Sequence, residues 1–459
     1  MQLTYGVKDR PSFGRVIIFA FQQLLAILAA TIAVPAIVGN GMSQSAALFG
    51  AGVGTIVYLL FTKFKSPVFL GSSFAFLSSM AAAFAGGVSM SLGYLGLIIG
   101  AAFAALVYVA IAIIVKFCGV KWISKLMPAV VIGPTVSIIG LSLAGNAIGD
   151  LTKGNVTHDV VSNALNETGD AIVEITSQVQ NASPYLCLIC GLITLFVVVI
   201  CSVYGKKMAK MIPFIIGIAA GYAVAAILTV IGLKTGNEAM QIINFSGFAN
   251  MKWIPDFTFL TAIKGFGEIN ASYIASIAVA YIPVAFVVFA EHIADHKNLS
   301  SIIESELLED PGLHRTLLGD GIGSFCGAIF GGCPNTTYGE SVGCVAISGN
   351  ASVITILTTA ILAIVASFIA PFTTFLATIP SCVMGGVCMT LYGFIAVSGL
   401  KMLQPVDLGD NKNLFTASVI LIAGIGGLTL NFGKVTLTEV ACALILGIIV
   451  NLVLSAKKQ

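Results

Sequence analysis

Long apolar segments alternate with short polar connections from one end of the 459-residue chain to the other. A helix needs about 20 predominantly apolar residues to cross a bilayer. The pattern predicts an all-α polytopic membrane protein embedded in the lipid bilayer, with about fourteen transmembrane segments, some of them irregular. The predicted spans are 13–36, 45–62, 67–84, 92–117, 125–147, 184–203, 211–232, 270–292, 316–331, 335–349, 351–373, 377–399, 413–430 and 436–455.

The composition agrees with this class and excludes others. Hydrophobic residues make up 58% of the chain and charged residues 9%, whereas soluble domains carry about 25% charge. A net charge of +2 gives no reason to expect a nucleic-acid partner. Most of the ten cysteines lie in apolar segments, and the one C-x-x-C pair, Cys187 with Cys190, has no second Cys or His pair beside it. We therefore expect no metal site and no cofactor.

Basic residues cluster at span ends that fall on one side if every span crosses. The positive-inside rule places this side, and both termini, in the cytoplasm. The long polar, mostly acidic segment 149–183 then lies outside, as a loop of a multi-pass protein of the cell membrane. The basic residues are Lys8, Arg10, Arg15, Lys63, Lys65, Lys116, Lys121, Lys125, Lys206, Lys207, Lys210, Lys457 and Lys458.

Two pairs of motifs indicate an internal repeat. "PAVVIGPTVS" from Pro128 is echoed by "PSCVMGGVCM" from Pro380, and "PVFLGSSFAF" from Pro67 by "PNTTYGES" from Pro334. Each pair lies seven predicted spans apart, and an odd number of spans inverts the second copy. Paired segments interrupted by Pro and Gly in corresponding halves mark the central site of many transporters.

The segment "GGCPNTTYGE" from Gly331 to Glu340 is polar although it lies between apolar segments. Pro334 disfavours a helix at this point, and Thr336, Thr337 and Tyr338 favour an extended chain. The sequence predicts a short extended piece followed by a half-helix from about Glu340 or Ser341. Irregular backbone at this depth is tolerated only inside protein or beside a wet cavity. Together with its counterpart from Pro67, the segment would form a polar pocket.

Three acids are candidates for that pocket. Glu291 and Asp295 follow an apolar run and share a helix face at i, i+4 spacing, where repulsion and burial would favour a bound proton. Glu340 is an intramembrane acid, which is a functional-site hypothesis by default. The alternative for Glu291 and Asp295 is a cytoplasmic helix end meeting water. His292 and His296 fall off the Glu291 face, and we expect them at the membrane interface.

Five stretches resemble the nucleobase–ascorbate transporters, also called nucleobase:cation symporters, and in particular their bacterial uracil branch. They are "FLGSSFAF", "AEHIADHKNLSS", "DPGLHRTLLGDG", "PNTTYGESVG" and "IPSCVMGGVCMTLYG". The resemblance implies two inverted repeats of seven spans, with short strands in spans three and ten. It implies a core domain at 1–118 (spans one to four) and 265–373 (spans eight to eleven). A gate domain would comprise 119–235 (spans five to seven) and 374–459 (spans twelve to fourteen), and relatives form homodimers.

The resemblance also assigns roles to residues. Glu291 would hold the pyrimidine and Glu340 would be the second carboxylate. Gly339 and Phe74 would offer backbone N–H groups to carbonyl oxygens, while Phe74 and Tyr338 flank the ring. Ala30 and Ser73 would line the pocket. Tyr392 would belong to the proton-linked network. We expect Glu291, Glu340 and Asp295 to take part in proton coupling with it.

Three departures from the family pattern bear on these roles. A glutamine–histidine pair of the first span is Gln22-Gln23 here. Asp295 stands where relatives often have a histidine, and could replace it as the titrating group. Ser341 replaces a common Asn, and a later Thr-Arg is Ser348-Gly349. The altered motif of span ten leaves xanthine or another oxopurine open as substrate.

The resulting hypothesis is a secondary active transporter, not an enzyme, that imports uracil by proton symport. An oxopurine symporter and an uncoupled nucleobase facilitator remain alternatives. Two acids at the site argue against an anion carrier of the same architecture. No convincing nucleophile–base set or metal-ligand set within the spans favours a membrane-embedded enzyme.

Overall fold

The computed structural model describes residues 3–119, 122, 126–165, 172–206, 208–432 and 435–456. Five of the lysines that indicate the orientation lie outside these residues, namely Lys121, Lys125, Lys207, Lys457 and Lys458. The described chain is predominantly helical. It forms two compact units, one of residues 1–143, 252–373 and 391–459, and one of residues 144–251 and 374–390.

The larger unit contains most of the long helices and a pair of short strands. In chain order its elements begin with α1 (Phe13–Val38), α2 (Gln44–Phe61), β1 (Leu70–Ser72), α3 (Leu77–Ala83), α4 (Met90–Cys118) and α5 (Ala129–Ser142). The smaller unit follows with α6 (Ala144–Asp150), β2 (Thr157–Leu165), β3 (Ile172–Gln180), α7 (Pro184–Tyr204), α8 (Met208–Met211) and α9 (Pro213–Thr235).

The chain then returns to the larger unit. Its elements there are α10 (Thr258–Ala262), α11 (Ala271–Ile303), α12 (Leu313–Gly331), β4 (Asn335–Thr337), α13 (Gly339–Ser348) and α14 (Val353–Ser367). α15 (Ala370–Thr378) and α16 (Ser381–Met402) follow, and each contributes residues to both units. The last elements are α17 (Asn411–Ile425), β5 (Leu430–Phe432), β6 (Val435–Leu437) and α18 (Glu439–Ala456).

Side chains placed just before the helices define several of these starts. Ser43 accepts a hydrogen bond from the Ala46 N–H at the start of α2, and Ser89 does the same for α4. Asn270 accepts from the Tyr273 N–H and begins α11. Such caps satisfy backbone donors that a helix leaves without partners in its first turn. The polar residues between apolar segments therefore set where these helices begin.

Helices α2 and α12 approach each other closely, and β4 packs against them. A Cβ added at Gly54 would lie 2.7 Å from the Gly323 carbonyl oxygen, so only glycine permits this helix spacing. Small residues allow membrane helices to pack at backbone distance. At this contact between the two helices, the Gly50 carbonyl oxygen of α2 accepts a hydrogen bond of 3.2 Å from Asn335 Nδ2 of β4. The glycine pattern of two helices thus fixes the position of a strand.

The smaller unit is held by close packing and by one bridging side chain. A Cβ added at Gly217 of α9 would lie 3.0 Å from the Thr194 carbonyl oxygen of α7. Asn155 donates to the Ile379 carbonyl oxygen and accepts from the Ser381 N–H, both at 3.1 Å. This side chain therefore joins the segment before β2 to the start of α16.

The structure agrees with part of the predicted arrangement of spans and strands. Each predicted span overlaps a helix, and the strands predicted in spans three and ten are β1 and β4. Within the described residues eight helices are long and apolar enough to cross a membrane, or nine if α14 and the bent α15 form one span. The fourteen-span count and the inverted repeats therefore stay predictions.

Two antiparallel strand pairs were not predicted. Within the segment 149–183, expected as a loop, β2 pairs with β3, and β5 pairs with β6. The segment 156–180 is rich in Val, Ile and Thr, which favour strands. The polar and acidic residues of the same segment favour a loop, but its strand propensity prevails.

Candidate functional site

Two short antiparallel strands meet in the interior of the larger unit. Leu70 pairs with Thr337, Gly71 with Thr336, and Ser72 with Asn335, and all six residues are buried. The pairing continues at both ends, where the Ser73 N–H donates to the Pro334 carbonyl at 2.9 Å and the Tyr338 N–H to the Phe69 carbonyl at 3.3 Å. Each segment thus satisfies backbone groups of the other, which an extended chain at this depth requires.

Tyr338 crosses the neighbouring strand and depends on a glycine there. A Cβ added at Gly71 would overlap the Tyr338 ring. The Tyr338 hydroxyl donates to the Ser72 carbonyl oxygen at 2.8 Å, and the side chain is 4% exposed. The glycine of "FLGSS" therefore makes room for the aromatic residue of "NTTYGE", and the two motifs form one site.

A half-helix starts where β4 ends. Tyr338 has extended dihedral angles, and α13 begins at Gly339 without a side-chain cap. Gly339 is exposed, although the eight residues before it are buried. Uncapped N–H groups and the positive end of the helix dipole favour acceptor groups at this point. At the opposite end of the strand pair, the helical turn Phe74–Phe76 also starts without a side-chain cap.

The predicted acids lie around this helix start. Thr337 Oγ1 donates to Asp295 Oδ2 at 2.7 Å. The other oxygen of the same carboxylate lies 3.9 Å from the position of a Cβ on Gly339. Glu291 is one helical turn away on α11 and within electrostatic range of Asp295 and Glu340. All three acids are partly exposed. We call the region between these acids and the exposed start of α13 the crevice.

The remaining predicted residues lie close to the strand pair but are more buried. Ala30 on α1 is 1% exposed and Ser73 is 1% exposed. The ring of Phe74 meets Tyr392 edge-on, with centroids 5.6 Å apart. Two different helical segments thus place aromatic rings at the site, which suits a flat ligand.

The prediction for His292 and His296 is wrong. They are 0% and 1% exposed, and their rings stack with centroids 4.0 Å apart. His292 contacts Asp320 Oδ2 at 2.7 Å and Thr316 Oγ1 at 2.9 Å, both on α12. His296 contacts the Tyr58 hydroxyl at 2.6 Å. Polar partners on α2 and α12 satisfy both rings, which a pattern along α11 alone does not reveal.

Two of the departures from the family pattern contact each other. Gln23 Nε2 donates to Ser341 Oγ at 2.5 Å and lies 3.3 Å from the Ser341 carbonyl oxygen. Ser341 Oγ also accepts from the Phe69 N–H at 3.0 Å. One hydroxyl thus joins α1, the segment before β1, and α13. The sequence shows both departures, but only the fold shows that they form a pair.

Two contact-making residues were not singled out from the sequence, namely Thr337, which contacts Asp295, and Asp320, which pairs with His292. Asp320 is an acid within an apolar segment, with Thr316 one turn before it, and an intramembrane acid is itself a signal. Thr337 belongs to the motif "PNTTYGESVG", but its hydrogen-bond partner Asp295 lies 42 residues earlier in the sequence.

Comparisons with known proteins agree on a transporter. The model of the Permease family matches residues 14–432. The uracil permease of Bacillus caldolyticus is 36% identical over 459 residues, covering 99% of this chain and 95% of that protein. The uracil permease of Escherichia coli (strain K12) is 32% identical over 450 residues, covering 98% and 93%.

Solved structures support the fold. The transmembrane domain of the cyanobacterial bicarbonate transporter BicA matches with a TM-score of 0.63 and 15% identity, covering 98% of this chain and 100% of that chain. The murine anion transporter Slc26a9 in its inward-facing state matches with a TM-score of 0.66 and 11% identity, covering 98% and 69%. At these identities the likeness concerns architecture only.

Proposed function

Since the chain belongs to the Permease family, we propose that it is a secondary active transporter that imports uracil together with protons. The observation that carries this proposal is the crevice at the start of α13. There, backbone donors at Gly339 lie beside the carboxylate of Asp295, with Glu291 and Glu340 nearby. Uracil alternates N–H donors and carbonyl acceptors round a flat ring, so it needs both kinds of partner.

Each proposed contact matches one part of the substrate. Glu291 accepts a hydrogen bond from a ring N–H. The N–H groups of Gly339 and Phe74 donate to carbonyl oxygens, as helix starts do for acceptor groups. Phe74 and Tyr338 cover the two faces of the ring. Ala30 and Ser73 complete the lining, and the uncharged walls set the size of the pocket.

Proton coupling is assigned to the same cluster. Glu291 holds substrate while Glu340 or Asp295 exchanges the proton, and Tyr392 belongs to the linked network. Carboxylates that share one site repel each other, which favours at least one bound proton. Binding of uracil and of a proton at one acidic cluster would couple their movement.

The larger architecture is proposed from the resemblance. Two inverted repeats of seven spans would build a core domain (1–118 and 265–373) that moves like an elevator against a gate domain (119–235 and 374–459). The protein would form a homodimer in the cell membrane with both termini in the cytoplasm. The basic residues before α1 and after α2 support this orientation.

An oxopurine such as xanthine is the second candidate. Asp295 adds a third carboxylate to the crevice, and xanthine carries one ring N–H more than uracil. A competition panel of uracil, xanthine, hypoxanthine and uric acid against labelled uracil in proteoliposomes separates the two candidates. The preferred base is the one that competes at the lowest concentration.

Uptake across an imposed pH gradient tests the transport mechanism. We expect accumulation of labelled uracil against its gradient, and its loss on adding a protonophore. An uncoupled facilitator would equilibrate uracil without accumulation. Glu291→Gln should lose uptake, while Glu268→Gln, which changes an exposed acid, should keep it. A Glu291→Gln protein that transports at the normal rate would remove the proposed role of this residue.

A further inference from the structure

Residues 4–9, which precede α1, form a polar segment bonded to the turn that follows α13. The N–H groups of Thr4 and Tyr5 both donate to the Gly349 carbonyl oxygen, at 2.8 and 3.1 Å. In return, the Ala351 N–H donates to the Tyr5 carbonyl oxygen at 2.9 Å. Tyr5 and Asn350 thus form an isolated parallel β-bridge.

The contact extends beyond this bridge. The Val353 N–H donates to the Val7 carbonyl oxygen at 3.2 Å, and Ser352 Oγ donates to the Asp9 carbonyl oxygen at 2.6 Å. Asn350, Ala351, Ser352 and Val353 are each at most 4% exposed. The segment therefore covers the turn and satisfies its buried backbone groups, as buried polar groups require.

The segment is also tied to the first helix and to itself. Arg15 donates to the Tyr5 hydroxyl, and the Tyr5 ring meets Phe19 edge-on with centroids 6.1 Å apart. The Gly6 N–H donates to Asp9 Oδ2 at 2.7 Å, and the Asp9 N–H to the Gly6 carbonyl at 3.1 Å. A closed turn anchored on α1 is preorganised to hold the turn after α13.

The half-helix α13, which precedes the contacted turn, is short. α13 has 10 residues, whereas isolated helices below about 12–15 residues are marginal even with favourable sequences. Its first turn is held by Ser341, which accepts from Gln23 and from the Phe69 N–H. Its last turn ends at Gly349, a left-handed residue with a φ of 65°, whose carbonyl would lack a partner within the helix.

We propose that residues 4–9 act as a strap that positions α13, and thereby the helix start at Gly339 and Glu340. The strap holds one end of the half-helix and Ser341 holds the other, so the helix cannot tilt or fray away from the crevice. The N–H groups of Thr4 and Tyr5 are then a positioning part of the substrate site, although they lie about 15 Å along α13 from it, at 1.5 Å per residue. Only the ligand readout of the inference rests on the proposed function.

Hydrogen–deuterium exchange over residues 339–353 tests the strap without any ligand. Tyr5→Pro removes the N–H that donates to Gly349, and Tyr5→Ala removes the side chain but keeps that donor. Val7→Pro is the matched control. Val7 is the second residue of the Gly6–Asp9 turn, where proline fits, and its carbonyl still accepts from Val353. We expect exchange at least about fivefold faster in Tyr5→Pro, and near the wild-type rate in Val7→Pro.

Equilibrium binding of labelled uracil to the purified full-length protein is the second readout. We expect the dissociation constant of Tyr5→Pro to rise at least about fivefold, with Val7→Pro unchanged. If Tyr5→Pro does not fold, Thr4→Pro removes the other donor to Gly349 and takes its place.

Three outcomes decide the inference. Faster exchange together with weaker binding in the strap variant alone supports it. Unchanged exchange, or faster exchange with unchanged uracil affinity, overturns it. If the wild-type protein itself binds no uracil, the proposed function fails. The strap is then judged by exchange alone, and a Tyr5→Pro rate equal to that of Val7→Pro overturns it.

Discussion

Thr337 donates its hydroxyl hydrogen to the carboxylate of Asp295 across 2.7 Å, which joins β4 to α11. The strand is itself paired with β1, so this bond fixes an acid of one helix against both interrupted segments. It leaves the second carboxylate oxygen of Asp295 directed at the start of α13. The orientation of an acidic side chain in the crevice thus depends on one threonine.

Removing that hydroxyl should weaken substrate binding. Thr337→Val keeps the side-chain shape but leaves Asp295 without its donor, and a hydrogen bond to a charged group contributes about 1.5–3 kcal/mol. We expect uracil affinity to fall by about tenfold or more. Thr336→Val is the matched control, because the Thr336 hydroxyl is buried without a partner among the described residues. Equal affinities for the two variants would contradict the role given to Thr337.

The observed position of the Tyr338 ring should require glycine at position 71. Gly71→Ala puts a methyl group where the Tyr338 ring lies, so the ring or the strand must move. We expect loss of measurable uracil uptake with the protein still inserted. Gly343→Ala, on the same half-helix as the crevice, meets no atom within 4 Å and should transport normally. Normal uptake by Gly71→Ala would show that the ring is not needed where it lies.

Gln23 and Ser341 should behave as a coupled pair. Ser341→Ala removes the acceptor for both Gln23 and the Phe69 N–H, and an unsatisfied buried donor costs about 1–3 kcal/mol. Gln23→Ala should be less harmful, because Ser341 keeps its bond to Phe69. In a double-mutant cycle on uracil affinity we expect a coupling energy of about 0.5–1.5 kcal/mol. Simple additivity would mean that the contact does not contribute to binding.

The buried His292–Asp320 pair should respond asymmetrically to substitution. Thr316 Oγ1 donates to the Leu313 carbonyl, so His292 Nε2 must donate to Thr316. The remaining contact joins His292 Nδ1 and Asp320 Oδ2. It needs a second proton, carried either by the ring nitrogen or by the carboxyl group. Asp320→Asn supplies such a donor from its amide. His292→Gln leaves a buried acid without its ring partner, which costs about 3–5 kcal/mol when the acid is charged.

Thermal unfolding in detergent checks this expectation. His292→Gln should melt well below the wild-type protein, Asp320→Asn close to it, and the double variant above His292→Gln alone. A double variant no more stable than His292→Gln would refute the pairing.

Much of the site could be predicted from the sequence because its parts carry local signals. Pro334 and the residues after it exclude a helix and favour a strand, and the helix does begin next to the predicted residue. Acids within apolar segments are rare enough to be noticed singly, which made Glu291, Asp295 and Glu340 candidates for the site.

The remaining parts depend on contacts between distant segments. The burial of His292 and His296 follows from partners on α2 and α12, and a helical pattern on α11 contains no information on those partners. The Gln23–Ser341 contact joins residues 318 positions apart. The β2–β3 pair had a local signal in its β-branched residues, but the acidic composition of the segment favoured a loop.

The proposed uracil site can be tested by determining a structure of the protein with uracil in a lipid nanodisc. We expect density for a flat ring between Phe74 and Tyr338, within hydrogen-bond distance of Glu291 and of the Gly339 N–H. Density for uracil elsewhere in the protein, with this crevice holding only water at saturating uracil, would contradict it.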